Sequence, residues 1–340
     1  MSAADNRNVT MADVARQAGV SVATVSRALS GNRPMSPDIR STVLSAADEL
    51  GYRVNLVGRA LRQRRSSTAG LIVPDFDNPF FSSLAQHLSR TFAPSGVDLL
   101  VFSADDDLDT ELRGVESFIG RQVDALILIP CHEVGSERSI TRASESVVTI
   151  QLDRQVSSTQ AHFVGCDNAH GMRLVHEHVA AHADSNDPVI YVGGDPESSS
   201  GHERLEGFRR EFGADRLELA GRFDANWGFR AAQKILDLGY ESATIVAAAD
   251  IIALGILSQI QAGGFRVPGD FRVIGFDGVG VSRLAHPTLT TIRQPVEAMS
   301  EAILSMAMGD FPTESVRIAP SLVTAESSPT GRFHTRTRSS

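Results

Sequence analysis

The sequence predicts a small all-α head followed by a large α/β body built as two doubly wound parallel-sheet lobes. Three observations carry this expectation. The chain has 340 residues, too long for one ordinary core, so two or three domains are expected. Its first 65 residues hold ten arginines against five acids, a net charge of +5, while the whole chain carries −9. A basic module on an acidic body points to a polyanionic partner for the head alone. From Ala69 onward, short apolar runs alternate with amphipathic segments over some 260 residues, the pattern of buried parallel strands separated by helices.

The head reads as three short helices. Thr10 is a good N-cap, and Asp13 completes a capping-box-like pair with it. Val14, Ala15 and Ala18 share one face, and Gly19 ends the helix. Val20 lies in the turn and Ser21 caps a second helix, Val22 to Leu29, whose Val25, Ala28 and Leu29 point to the core. After a Gly31-Asn32-Arg33-Pro34 loop, Ser36-Pro37 opens a third helix on which Ile39, Val43, Leu44, Ala47 and Leu50 recur at helical spacing until Gly51. Ala15, Gly19 and Val25 have helix-turn-helix spacing: a small residue for close approach, a glycine for the turn and an apolar plug. In that geometry the second helix enters a major groove. Val22 and Ala23 then meet base edges, Arg27 follows one turn on, and Ser21, Thr24 and Ser26 suit phosphate contact. The spacing alone also fits an ordinary helical hairpin.

In the body the apolar runs are Leu71–Val73, Leu99–Phe102, Leu126–Ile129, Val147–Ile150, Val189–Val192, Thr244–Val246 and Val273–Phe276. Ligands of open α/β sheets bind beyond the carboxyl ends of the strands. That rule singles out Asn78-Pro79-Phe80-Phe81, Asp153-Arg154 and Asp277, together with Arg204 at the head of a short amphipathic segment. Aspartates and arginines exchange hydrogen bonds with sugar hydroxyls, and aromatic rings cover an apolar sugar face.

Other classes of function lack support. No apolar run approaches the ~18–20 residues that span a bilayer, and Met1 to Asn8 has no apolar core of a secretory signal. Two cysteines, Cys131 and Cys166, give no disulfide framework, so a cytoplasmic location is expected. His178 and His182 stand four apart on a predicted helix, but the intervening residues lack the glutamate of a zinc-protease motif. No metal site and no cofactor are expected. The glycines of Gly275 to Gly280 match neither a dinucleotide fingerprint nor a Walker loop, and no nucleophile–base set has motif support, so an enzyme is not expected.

The stretch Thr10 to Ser30 resembles the N-terminal signature of the lactose-repressor (LacI/GalR) family. Residues 40–53, which end Glu-Leu-Gly-Tyr-Arg, are similar to that family's third helix, and the resemblance continues to about Glu326. It implies a sequence-specific transcriptional regulator, a repressor, with a periplasmic-binding-protein-like body that senses a small molecule. A homodimer on a pseudo-palindromic operator is implied, with a sugar as effector; a purine or nucleoside effector is the alternative within the class. A transport-type sugar-binding protein is the rival outside it, and the helix-turn-helix argues against that. The resemblance places Thr10, Ser21, Val22, Ala23, Thr24, Ser26 and Arg27 at the DNA. It also places Asn55, Arg59 and Leu61 there, as parts of a hinge helix whose leucine wedges into the minor groove. Val54 replaces the family's usual proline and Gly58 its usual alanine, the latter lowering helix propensity by roughly 0.5–1 kcal/mol. Around the effector it places Asn78, Phe80, Phe81, Asp153, Arg154, Arg204, Phe223, Asp277 and Gln294, with Phe223 stacked on the ligand and Asp250 beside the site. Ser198 and Ser200 are candidate contacts from the opposite lobe. Ala249 stands where the family usually has an asparagine. The expected divisions are a head at 8–53, a hinge and linker at 54–67, and a body at 68–326. Within the body, lobes are expected at 68–165 plus 294–322 and at 166–292 plus 323–328, and a disordered tail at 327–340.

Overall fold

The computed structural model describes residues 9–30, 34–52, 66–159, 161–182, 187–309 and 315–330. Asn55, Gly58, Arg59 and Leu61 lie outside the described residues. The chain divides into two compact units, Met1–Ser66 and Ser67–Ser340.

The head holds α1 (Met11–Ala18), α2 (Val22–Ser30) and α3 (Pro37–Glu49). The capping box closes at the start of α1: Thr10 Oγ1 accepts from Asp13 N at 3.4 Å, and Asp13 Oδ2 accepts from Thr10 N at 3.0 Å. Gly19 takes a left-handed conformation at φ +67°, which lets Val20 N donate back to Ala15 O at 3.0 Å. Val14, Ala15, Val25, Ala28, Val43, Ala46 and Ala47 form the core. The apolar face expected on α3 is corrected here. Val43 and Ala47 are buried as expected, but Ile39 and Leu44 are 40% and 46% exposed, and the small Ala46 is buried instead. Three short helices enclose too little space for a wide apolar stripe, so alanines that permit close approach serve better than branched chains. Ser36 precedes Pro37 as expected but its side chain makes no cap bond.

The body begins with β1 (Thr68–Val73), α4 (Pro79–Phe92), β2 (Asp98–Ser103), α5 (Leu108–Gly120), β3 (Ala125–Leu128), α6 (Glu137–Ser144), β4 (Val148–Leu152) and β5 (His162–Cys166). The chain then crosses to the second lobe for α7 (Asn168–His182), β6 (Val189–Val192), α8 (Ser199–Phe212), β7 (Glu218–Leu219), α9 (Ala225–Asp237), β8 (Ala243–Ala247), α10 (Asp250–Ala262), β9 (Phe271–Asp277) and β10 (Thr290–Arg293). It returns through α11 (Val296–Met308) to β11 (Val316–Ile318) and crosses a third time to β12 (Ser321–Val323). The two sheets have the orders β11-β5-β4-β3-β1-β2 and β12-β10-β9-β8-β6-β7.

Among the described residues, all pairings are parallel except β10 with β12. The exception follows from the geometry of crossing. Both sheets turn their carboxyl ends toward the cleft between the lobes. A strand that leaves the first lobe in register with β5 therefore enters the second lobe against its strands. The first two crossings avoid this by starting the new lobe with a helix, α7 or α11. The third crossing lies between Ile318 and Ser321, so Leu322, expected in the first lobe, is paired in the second.

Two further expectations are corrected. β2 is an edge strand with residues exposed along it rather than a buried one. The start of the expected disordered tail is built into the second lobe. Ser327 and Ser328 are 0% and 1% exposed. Ser327 Oγ donates to Val273 O at 2.6 Å and accepts from Thr290 N at 2.8 Å. His178 Nε2 meets Ser328 O and Oγ at 2.9 Å each, so this histidine anchors the segment at Ser328.

Candidate functional site

On the head, the described side chains expected at the DNA are Thr10 at the start of α1 and residues along α2 and its cap. Thr10, Ser21, Val22, Ala23 and Arg27 are exposed, and Thr24 and Ser26 are half-buried. Val25 and Ala28 turn the other way into the core, so burial of one face of α2 forces the other outward. Ser21 Oγ accepts from Thr24 N at 3.1 Å and shares a hydrogen with Thr24 Oγ1 at 2.8 Å. Ser21 is therefore the cap of α2, and one hydroxyl proton of the pair is not used between the two residues.

In the body, four strand ends converge on the cleft. Asp153 follows β4, Asp277 closes β9, Gln294 follows β10 and Asn168 opens α7 after β5. Asp153 and Asp277 both have positive φ, 61° and 118°. Backbone conformations that L-residues rarely adopt turn both carboxylates inward, a pattern typical of functional sites. Arg204 comes from α8 and sits among them, 2% exposed. Its Nη1 donates to Ala248 O at 2.7 Å and lies 3.3 Å from Asp277 Oδ1; its Nε donates to Asn168 Oδ1 at 2.9 Å. Its Nη2 is 3.9 Å from Asp153 Oδ1, and the guanidinium lies over the Phe276 ring at 3.9 Å. Gln294 Nε2 donates to Asp277 Oδ1 at 2.9 Å. Arg154 is held between the Phe81 and Phe223 rings at 5.4 and 5.2 Å, and its Nη1 points to Cys131 O at 3.3 Å.

The electrostatics of this cluster are those of charge taken out of water. Burial pushes the Asp277 carboxyl up to about 7 against the pull of Arg204. Burial also raises Asp153, again opposed by Arg204 and then by Arg154. Burial works against the charge on Arg204, but Asp277 and Asp153 outweigh it and hold the guanidinium protonated. Among the described residues, Asp153 Oδ1, Arg154 Nε, Asp277 Oδ2 and Gln294 Oε1 are buried without a hydrogen-bond partner. Three acceptors and one donor of this cluster are thus left without a partner from the protein.

Several expected pocket residues have other tasks. Asp250 is 0% exposed. Its Oδ2 accepts from Val279 N at 2.9 Å and from Ser282 Oγ at 2.7 Å, and its Oδ1 accepts from Thr291 Oγ1 at 2.6 Å. It fixes the loop after Asp277 rather than offering an oxygen to the cleft, and burial raises its carboxyl to about 6. Gly275 beside it has no room for a side chain, since a Cβ there would lie 2.2 Å from Asp250 Oδ1. Asn78 caps α4, accepting from Phe80 N at 3.0 Å, and Phe80 packs into the first lobe's core. Ser198 caps α8, with Oγ accepting from Gly201 N at 3.1 Å. Ser200 is buried within the same first turn. Phe223 packs its far ring edge against Gly194, where a Cβ would come within 2.3 Å of the ring. Ala249 is the N-cap of α10 and leaves that helix without a side-chain cap.

Bonds cross the cleft outside this cluster. Glu133 N donates to Glu197 O at 2.7 Å, His132 Nδ1 lies 3.2 Å from Glu197 Oε2, and Arg222 reaches Asp106 at 3.2 Å. Gln155 N donates to Ser199 Oγ at 2.9 Å. Ser199 belongs to the Ser198-Ser199-Ser200 run from which contacts between the lobes are expected, whereas nothing in the sequence singles out Asn168 and Gln155. Asn168 obeys the strand-end rule, but β5 begins with His162 and contains Gly165, and so does not read as an apolar run.

The fold and site define a class: a helix-turn-helix head on a two-lobed body with a charged cleft at the strand ends. Residues 10–55 match the bacterial regulatory proteins of the lacI family, and residues 69–308 match a periplasmic binding protein domain. The chain is 31% identical over 298 residues to catabolite control protein A of Priestia megaterium, covering 85% of this chain and 88% of that protein. It is 30% identical over 345 residues to the HTH-type transcriptional regulator GalR of Salmonella typhimurium strain LT2, covering 96% and 99%. The lac repressor dimer bound to operator and the anti-inducer ONPF shares the fold, with a TM-score of 0.83 at 24% identity over 95% of this chain and 100% of that one. The chain belongs to the lacI family of bacterial regulatory proteins. It is a DNA-binding transcription regulator.

Proposed function

We propose that this protein is a dimeric repressor whose hold on a pseudo-palindromic operator is set by a neutral polyhydroxylated effector, a sugar or sugar derivative, in the interlobe cleft. The observation that carries this reading is the set of orphaned buried atoms: Asp153 Oδ1, Asp277 Oδ2, Gln294 Oε1 and Arg154 Nε. Three acceptors and one donor suit a ligand rich in hydroxyl donors. An anionic effector would meet two aspartates, while Ala248, Asn168 and Asp277 already take three of the five Arg204 N–H donors. Phe223 and Phe81 supply apolar cover, with Arg154 between them.

In the same reading α2 docks in the major groove. Val22 and Ala23 touch thymine methyl groups there, since neither can make the paired hydrogen bonds that identify guanine or adenine. Arg27 supplies a guanine contact, while Thr10, Ser21, Thr24 and Ser26 serve the phosphates. Asn55, Arg59 and Leu61 carry the minor-groove contacts. The ribose operon repressor of Escherichia coli, 26% identical over 87% of this chain, and a CelR–cellobiose complex with a TM-score of 0.67 are relatives whose names point to sugars. One short half-site is too little to specify a gene, so two heads related by a two-fold axis multiply the selectivity.

The test is a thermal-shift screen of sugars, sugar phosphates and nucleosides on the full chain, with hits retested on operator binding. A neutral sugar is expected to raise the midpoint and to change operator affinity. Arg204→Ala and Asp277→Ala are expected to abolish both. A hit confined to phosphates or nucleosides, or one that survives both substitutions, overturns the assignment.

A further inference from the structure

Glu203 stands next to Arg204 on α8, and four donors converge on its carboxylate. Arg317 makes a two-pronged contact, Nη1 to Oε2 at 2.9 Å and Nη2 to Oε1 at 2.7 Å. Asn168 Nδ2 donates to Oε2 at 2.8 Å, and Gln155 Nε2 to Oε1 at 3.4 Å. These donors come from different parts of the fold. Arg317 is on β11, the strand that leads into the third crossing, and lies over the Phe163 ring of β5 at 5.0 Å. Gln155 follows the pocket residues Asp153 and Arg154 in the first lobe. Asn168 opens the second lobe immediately after the first crossing, and its other amide atom accepts from Arg204 Nε at 2.9 Å.

We propose that Glu203 is a positioning residue that clamps the two lobes together at their connections and, through Asn168, sets the orientation of Arg204 in the cleft. Its carboxylate belongs to the second lobe, while Arg317 and Gln155 belong to the first. Separation of the lobes removes both of these donors and leaves only Asn168. The interaction therefore differs between closed and open arrangements, the condition for biasing an equilibrium between them. A charge-assisted, two-pronged guanidinium–carboxylate contact is the strong and directional kind. The amide of Asn168 is held at one end by Glu203 and at the other by Arg204, so a change at the connections alters the atom that receives the Arg204 Nε–H. The inference concerns the closure of the lobes and holds whatever the effector is.

The test is hydrogen exchange followed by mass spectrometry on the full chain without effector or DNA, for Glu203→Gln, Arg317→Gln and the double variant. The reporter is the Glu133 amide, whose bond to Glu197 O crosses the cleft and to which neither substituted residue contributes an atom. Each single variant is expected to speed exchange there about tenfold, and the double variant no further than Glu203→Gln, while the strand amides of β1 and β8 keep their protection. Unchanged exchange at Glu133 in both single variants overturns the proposal. So does equal acceleration across the sheets in both, which marks a purely structural role, and so do additive effects in the double variant, which mark two unrelated contacts.

Discussion

Arg204 and Asp277 meet at 3.3 Å with side chains only 3% and 2% exposed, so this ion pair is sealed from water on every side the protein provides. Removing one partner of such a pair strands the other, which typically costs about 3–5 kcal/mol. Arg204→Ala leaves Asp153 and Asp277 without their shared cation. Its unfolding free energy in urea is therefore expected to fall by roughly that amount, on the order of 3–5 kcal/mol. Asp277→Asn keeps a hydrogen-bonding group for Gln294 and removes a charge that burial already disfavours. It is expected to lose far less. Equal losses in the two variants would show that shape, not charge, governs this cluster.

The raised Asp277 carboxyl makes stability depend on pH in a definite direction. Its folded value is about 7, against about 3.9 for an unfolded aspartate. Between those values the folded chain binds the proton and the unfolded chain does not. The contribution is present in full below about pH 4 and is lost as pH rises through about 7. The thermal midpoint of the wild-type protein minus that of Asp277→Asn is therefore expected to shrink from pH 5 to pH 8. Effector hydroxyls that donate to Asp277 Oδ2 favour the carboxylate, so effector affinity is expected to rise over the same range, with proton release measurable by calorimetry in buffers of different ionisation enthalpy. A pH-independent difference between the two proteins would sink both expectations.

How much of this cleft could be read from residues alone varies with the kind of signal. Asp153, Asp277 and Arg154 were legible because they follow apolar runs, and strand ends are where such sheets bind ligands. Asp250, placed beside the site by the resemblance, has its carboxylate turned to another task. It too lies just beyond a strand, but it is the first residue of α10, and its carboxylate accepts from Val279, Ser282 and Thr291. Sequence position places a residue near the cleft without saying which way its side chain turns. Asn168 and Glu203 went unread for a different reason. β5, β10, β11 and β12 are short and partly polar strands, and β11 and β12 pair with segments far away in sequence, so no local pattern announced them. Long buried runs such as β1, β8 and β9 needed no such help.

Ala249 offers a gain of stability at a position the family usually fills differently. It sits at the N-cap of α10 with extended backbone, φ −152° and ψ 154°, and offers no side-chain oxygen to the helix. A capping serine typically adds about 0.5–2 kcal/mol relative to alanine. Ala249→Ser is expected to raise the unfolding free energy by about 1 kcal/mol and to alter the ranking of effectors in the thermal-shift screen. A destabilised variant would mean that this fully buried position has no room for one oxygen.

Gly194 and Phe223 provide a test of aromatic cover. An added Cβ at Gly194 would meet the Phe223 ring at 2.3 Å. Gly194→Ala is therefore expected to push the ring toward Arg154, with an overpacking cost of about 1–3 kcal/mol. Because that ring borders the cleft, effector affinity is expected to drop more steeply than stability. If affinity and midpoint fall in proportion, Phe223 acts only as core packing.

Gly58 lies in the segment that the family uses to join head and body. Alanine there adds roughly 0.5–1 kcal/mol of helix propensity. If that segment must be helical to place Leu61 in the minor groove, part of the operator-binding free energy is spent on ordering it. Gly58→Ala removes some of this ordering cost. A gel-shift titration is expected to give about two- to fivefold tighter operator binding, the factor that such a propensity gain corresponds to. The same variant should respond less to effector, because a more helical hinge resists the rearrangement that releases DNA. An unchanged operator affinity would place the control of binding elsewhere than in the helicity of this segment.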